Sequence, residues 1–203
     1  MEIYNRVKEA KIISVISQKG GVGKSTLAAN IALNLAKSAI VAIVDLDHQG
    51  SLVSLQSQFE NIDIYPPKTS VVEIRQLSYD FIIIDTPPYL FNNLEDIAQI
   101  SDLIIIPTKA SLLDVIAINK TLDLVLGVID KDKLLIVMNM IKANTTLTND
   151  VYREIKKYGV EIAKTRISDL VDYTRSIMNK GCTTTKAQMQ INALTKETLI
   201  KLL

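Results

Sequence analysis

Short, β-branched apolar runs alternate along the chain with stretches of helical spacing. KIISVIS at 11–17 reads as a buried strand, STLAANIALNLAKS at 25–38 as a helix, and AIVAIVD at 39–45 as a second strand. QGSLVSLQSQF (49–59) has helical spacing, NIDIY (61–65) suits a short strand, and SVVEIRQL (70–77) a short helix. DFIIID (80–85) and DLIIIP (102–107) are further buried strands, followed by a long helix in SLLDVIAINKTLDLVLGVI (111–129) and a strand in KLLIVMN (133–139). TNDVYREIKKYG (148–159) is amphipathic, VEIAK (160–164) suits an edge strand, and helices are predicted over 169–181 and 187–203. Near-continuous apolar strands separated by helices predict an α/β fold, a mostly parallel twisted sheet with helices on both faces. Ligands of such sheets sit beyond the carboxyl ends of the strands.

At 203 residues, with no repeat, low-complexity tract or evident linker, residues 1–203 are expected to form one domain. The net charge of +1 hides an asymmetry: residues 1–130 carry 10 Lys/Arg against 15 Asp/Glu, and residues 131–203 carry 13 against 7. The basic final third hints at a polyanion, although a charge excess is commonly a solvated face. Cys182 is the only cysteine, so neither an internal disulfide nor a thiolate metal cluster is available. No apolar run reaches a membrane span, and MEIYNRVKEAK lacks the apolar core of a signal peptide, so a cytoplasmic location is expected.

SQKGGVGKST (17–26) joins the first strand to the first helix. Backbone N–H groups of Gly20, Gly21, Val22 and Gly23 can converge there on an anion, aided by the positive end of the helix dipole. Lys24 is placed to reach β- and γ-phosphates, Ser25 to ligate Mg²⁺ and Thr26 to bond the α-phosphate. Downstream, FIIIDTPP (81–88) carries four apolar residues and then Asp85, the Walker B pattern for holding Mg²⁺. IVDLDHQGS (43–51) ends another strand on Asp45 and Asp47, and Asn139 ends IVMN with an amide able to donate and accept at a base edge.

The ordinary motif G-x-x-x-x-G-K-[ST] needs glycine at position 18, where Gln18 stands, followed by Lys19. KGGVGKST resembles the deviant P-loop of the ParA/MinD family of ATPases, and the resemblance spans about residues 11–182. It implies a P-loop NTPase fold of the deviant Walker A type, with ATP and Mg²⁺ as cofactors. It identifies Lys19 as the signature lysine that reaches the partner subunit's phosphates in an ATP-bound homodimer. By the same match Asp47 positions the attacking water, Asp45 helps shape the Mg²⁺ site, Gln49 and Gly50 begin one switch, and Thr86-Pro87-Pro88 a second. His48 stands where relatives carry proline, leaving the loop less constrained. Asp114 lies where relatives often carry an acid near the dimer interface; a first-turn aspartate favoured by the helix dipole is the equal alternative. Asn139 matches an asparagine used against adenine.

Within that family the chain is most similar to small plasmid or chromosome partition ATPases without a helix-turn-helix. The expected partners are nonspecific DNA, making the protein nucleoid-associated, and a ParB-like or other centromere-binding protein that stimulates hydrolysis. Candidate DNA contacts are Arg166, Arg175, Lys180, Lys186 and Lys196, with Lys156 and Lys157 behind them; each equally suits an ordinary surface base. Rival readings are a MinD-like membrane-cycling ATPase, using INALTKETLIKLL as an amphipathic surface helix, and a P-loop ATP-dependent ligase. The residues favour packing of that last helix on the sheet over membrane recruitment.

Overall fold

All strand pairings are parallel, among the residues the structure describes. It is a computed structural model that describes residues 9–88, 93–142 and 147–203, with the backbone alone for residues 112 and 147–149. Most of the amino-terminal segment read above, residues 1–8, lies outside them. The strands are β1 (Lys11–Val15), β2 (Val41–Asp45), β3 (Ile62–Tyr65), β4 (Phe81–Asp85), β5 (Leu103–Thr108), β6 (Leu134–Met138) and β7 (Glu161–Ile162). They form one sheet in the order β3-β2-β4-β1-β5-β6-β7. The helices are α1 (Lys24–Leu35), α2 (Val71–Gln76), α3 (Leu94–Ile100), α4 (Leu112–Val125), α5 (Leu147–Lys156), α6 (Val171–Arg175) and α7 (Thr185–Lys201).

The period of two along each strand divides the core into two layers. Ile13 and Val15 of β1 face Leu27 and Ile31 of α1 and Ile191 and Leu194 of α7. Ile12 and Ile16 join the opposite layer, with Ile97 of α3, Ile118 and Leu122 of α4 and Ile155 of α5. Ser14, fully buried in the middle of β1, is satisfied by Ser101 at 2.6 Å, which in turn bonds Ile97 O. The chain runs outward from β1 to β2 and β3, returns to insert β4 beside β1, and then continues on the other side through β5. The carboxyl end of β1 is therefore the point where connections diverge, and the crevice opens there.

Two predicted elements differ, and a third element has no counterpart in the prediction. Residues 49–59 form a 3₁₀ turn, Val53–Gln58, and no α-helix. The Asp45 carboxylate takes the N–H groups of Leu52 and Val53, and Gln56 turns its amide onto β3, accepting from Ile64 N and donating to Ile62 O. The helix predicted over 169–181 narrows to α6, because Ser176 Oγ bonds back to Tyr173 O and Lys180 takes a left-handed φ of 57°. At 94–100, where the pattern predicts no element, α3 buries Leu94, Ile97, Ala98 and Ile100.

The last helix packs against α1 and buries Ala187, Ile191 and Leu194, as the sheet-packing reading requires. Among the described residues no helix is long and apolar enough to cross a membrane. Asp172 holds the amino end of α7: its carboxylate accepts from the N–H and hydroxyl groups of both Thr183 and Thr184. Burial pushes the Asp172 pKa up, but these bonds outweigh it and leave it at about 2. Asp172→Ala should lower the melting temperature by about 2–4 °C, the expected size of a lost helix cap in a chain of this length. Thermal unfolding followed by circular dichroism measures it, and an unchanged midpoint would remove Asp172 from the anchoring of α7.

Candidate functional site

The loop from β1 to α1 is shaped by glycine at two positions. Gly21 and Gly23 have φ of 69° and 88°, where a side chain is strained. Gly23 is also crowded: a Cβ there would meet Asn139 Nδ2 at 2.4 Å. That amide donates to Val22 O at 2.7 Å and ties the loop to the end of β6. No side chain caps α1 and its first turn holds no acid, so the positive helix end is left for an anion.

Lys24, in the first turn of α1, is 7% exposed, and its Nζ donates to Lys19 O. Burial lowers its pKa, opposed by the charges of Asp85 and Asp47. Gln18, the departure from the ordinary motif, fastens the loop to α4: its N–H donates to Thr121 Oγ1 and its amide to Lys120 O. Lys19 reaches the same helix. Its Nζ lies 2.5 Å from Oδ1 of Asp114, a carboxylate only 2% exposed whose other oxygen accepts from Ser111 Oγ. Lys19 is thus held against α4, beside the glycine loop.

Asp45 and Asp85 are register partners at the carboxyl ends of β2 and β4. Asp45 accepts from the N–H groups of Asp47, Leu52 and Val53, so it fixes the loop that carries Asp47. Asp47 is half-buried, and its Oδ1 accepts from Gln49 N. Asp85 is fully buried and neither oxygen has a hydrogen-bond partner. Burial is the chief cause that pushes its pKa up to about 7, and nearby Ser25 tempers the shift without a well-formed hydrogen bond to it. Orphaned carboxylate oxygens beside a hydroxyl make a donor set for a hard divalent cation such as Mg²⁺. Thr86 next to Asp85 bonds Val15 O at 2.9 Å and pins this strand end to β1. His48 is exposed and lines a cavity with Pro67, Thr69 and Pro87, between the two acidic loops.

A second recess opens behind the cradle, lined by Thr26 and Leu27 of α1, Asn139 and Met140 after β6, and residues 167–170, 173 and 174. Its lining mixes apolar faces with convergent polar groups. The sequence reading named Thr26 and Asn139 here but not Met140, Ser168 or Asp169. Met140 carries a trace in its φ of 52°, a sparsely populated conformation that marks constrained sites. Ser168 is delivered by a parallel bridge to Ile141, a long-range contact without a local sequence signal.

The five basic candidates are exposed but have different surroundings. Arg166 lies over the Tyr152 ring of α5 at 5.8 Å, and Lys180 pairs with Glu60 next to β3. Arg175 ends α6, and Lys186 and Lys196 stand on the outer side of α7. Cys182 donates to Asn30 Oδ1, and burial pushes its thiol up to about 11, which leaves no reactive thiolate.

The family model for the CobQ/CobB/MinD/ParA nucleotide binding domain matches residues 13–182. Maintenance of carboxysome distribution protein A from Halothiobacillus neapolitanus is 27% identical over 183 residues, covering 84% of this chain and 85% of its own. The sporulation initiation inhibitor protein Soj of Bacillus subtilis is 26% identical over 202 residues, covering 73% and 79%. In structure the chain resembles an AMPPNP-bound Borrelia burgdorferi B31 protein named for plasmid partition, with a TM-score of 0.79 at 24% identity, over 95% of this chain and 100% of that one. At that identity the likeness speaks for the fold alone.

Folding raises the Asp85 pKa from 3.8 to about 7, so the folded state binds the extra proton between those values. The stability contributed by this group therefore falls as pH rises from about 4 through 7, and the full cost, roughly 4 kcal/mol, remains above it. Asp85→Asn should raise the melting temperature of the ligand-free protein by several degrees at pH 8 and by less at pH 5. Melting curves at the two pH values test this, and an equal effect at both would refute the titration.

Proposed function

The chain belongs to the CobQ/CobB/MinD/ParA nucleotide-binding family, and we propose that within it the protein is a partition-type ATPase. ATP binds with its phosphates along residues 20–26 and its base in the recess beside Asn139. Ser25 and Asp85 hold Mg²⁺, which draws charge from the phosphates and relieves the buried carboxylate. Asp47, on the loop fixed by Asp45, orients the attacking water. Lys24 steadies the β- and γ-phosphates of its own subunit.

The observation that carries the proposal is the position of Lys19. It is held outside its own cradle, with its side chain 32% exposed on α4, where a second copy can meet it. Two copies then bury two nucleotides between them, each lending Lys19 to the other's transition state, as an arginine finger does in trans. The dimer joins two basic surfaces and gains nonspecific DNA affinity by multivalency. Hydrolysis removes the γ-phosphate, relaxes the loops after β2 and β4, and releases DNA. A centromere-binding partner accelerates that step, and cargo moves or is spaced over the nucleoid. The relative named for carboxysome distribution supports a second reading, in which the cargo is a protein body.

Lys19→Ala should retain the fold and bind ATP as a monomer, yet lose ATP-dependent dimerisation and DNA retention. Sedimentation and filter binding with ATP, ADP and no nucleotide read this directly, and wild-type retention would refute the trans role. Asp47→Ala should bind ATP and dimerise but release phosphate at least about a hundredfold more slowly, the low end for a lost general base. Unchanged turnover would remove Asp47 from the chemistry.

A further inference from the structure

One wall of the base recess is held from behind. Residues 167–169 join the chain after β6 through backbone bonds, Ile141 N to Ile167 O at 2.9 Å and Asp169 N to Ile141 O at 3.0 Å. On the far side stands Gln190 of α7. Its Oε1 accepts from Ser168 N at 3.2 Å and from the Tyr173 hydroxyl at 2.8 Å, and its Nε2 donates to Ser168 Oγ at 3.0 Å. Ser168 and Tyr173 both line the recess, and Gln190 does not. One amide thus uses both its ends on two residues that line the recess, as an acceptor and a donor at once. Met140, beside the bridged Ile141, also lines the recess, and its left-handed backbone persists only where its surroundings over-determine it.

We propose that Gln190 is a positioning residue for nucleobase recognition, acting through Ser168 and Tyr173 without touching the base. This rests on reading the recess as the base subsite. With the amide gone, Ser168 and Tyr173 lose a shared anchor and the wall loosens, while the phosphate cradle on α1 is untouched. Binding of a base should weaken and binding of phosphates should not.

The test is equilibrium binding, in the full chain with magnesium, of ADP and of ribose 5-diphosphate, which lacks only the base. Wild type should favour ADP. Gln190→Leu should lose about tenfold in ADP affinity, the scale of one or two lost hydrogen bonds, with ribose 5-diphosphate unchanged. Gln190→Glu keeps the acceptor, and the Ser168 hydroxyl can turn to donate, so ADP affinity should return to within about threefold of wild type. Tyr173→Phe, which deletes this arm together with the hydroxyl's contact to Ala187 O, should show a several-fold loss for ADP only, and serves also if Gln190→Leu does not fold. Equal weakening of both ligands, an unchanged preference for ADP in Gln190→Leu or Tyr173→Phe, or a Gln190→Glu protein as weak as Gln190→Leu would overturn the proposal. A wild type that binds the two ligands equally would instead overturn the reading of the recess as a base subsite.

Discussion

Burying an ionised carboxylate without a partner costs several kcal/mol, and Asp85 occupies that position at the centre of the sheet. Its surroundings follow from the cost. β4 is paired on both sides, so the strand end cannot move toward water. Thr86 fastens the chain to β1, and Asp45 beside it is spent on three backbone N–H groups. Lys24 lies close enough to share the field, yet burial works against its charge as well. The protein without ligand is thus held in a state that a cation and a set of phosphates improve. Affinity for Mg²⁺ and a triphosphate is stored in the fold as unmet electrostatic demand.

The role of α4 is as much electrical as structural. It receives Gln18 at Lys120 and Thr121, and Lys19 at Asp114. The sequence left two readings of Asp114 open, a first-turn aspartate or an acid near the dimer face. The structure bears on the first of these: Asp114 stands in the first turn of α4, follows its cap Ser111 and pairs with the half-buried Lys19. Pairing with a buried acid holds the lysine in one orientation, and under the proposed trans role that lowers the side-chain freedom that association would remove.

What the sequence made legible was local and periodic. The strand order of apolar runs, the glycine loop and the aspartates at strand ends each carry their signal within about ten residues, and the seven strands fall where the runs do. Elements were misread where a side chain competes with the backbone. Ser176 and Gln56 each redirect a hydrogen bond, and no period in the sequence records the outcome. α3 was overlooked because seven residues give too few turns for a period to stand out. Ser168, Asp169 and Gln190 were invisible for a different reason. They are assembled by pairing between segments more than 20 residues apart, which only the topology brings together.

Gln56 also governs how copies of this chain can add to one another. By spanning Ile62 O and Ile64 N it imitates a neighbouring strand along the outer rim of β3. A rim already saturated offers no template to a foreign strand, so growth by sheet extension is blocked on that side. Contacts with another molecule on that side must therefore be made through side chains, helices and loops, while β7 remains the other edge of the sheet.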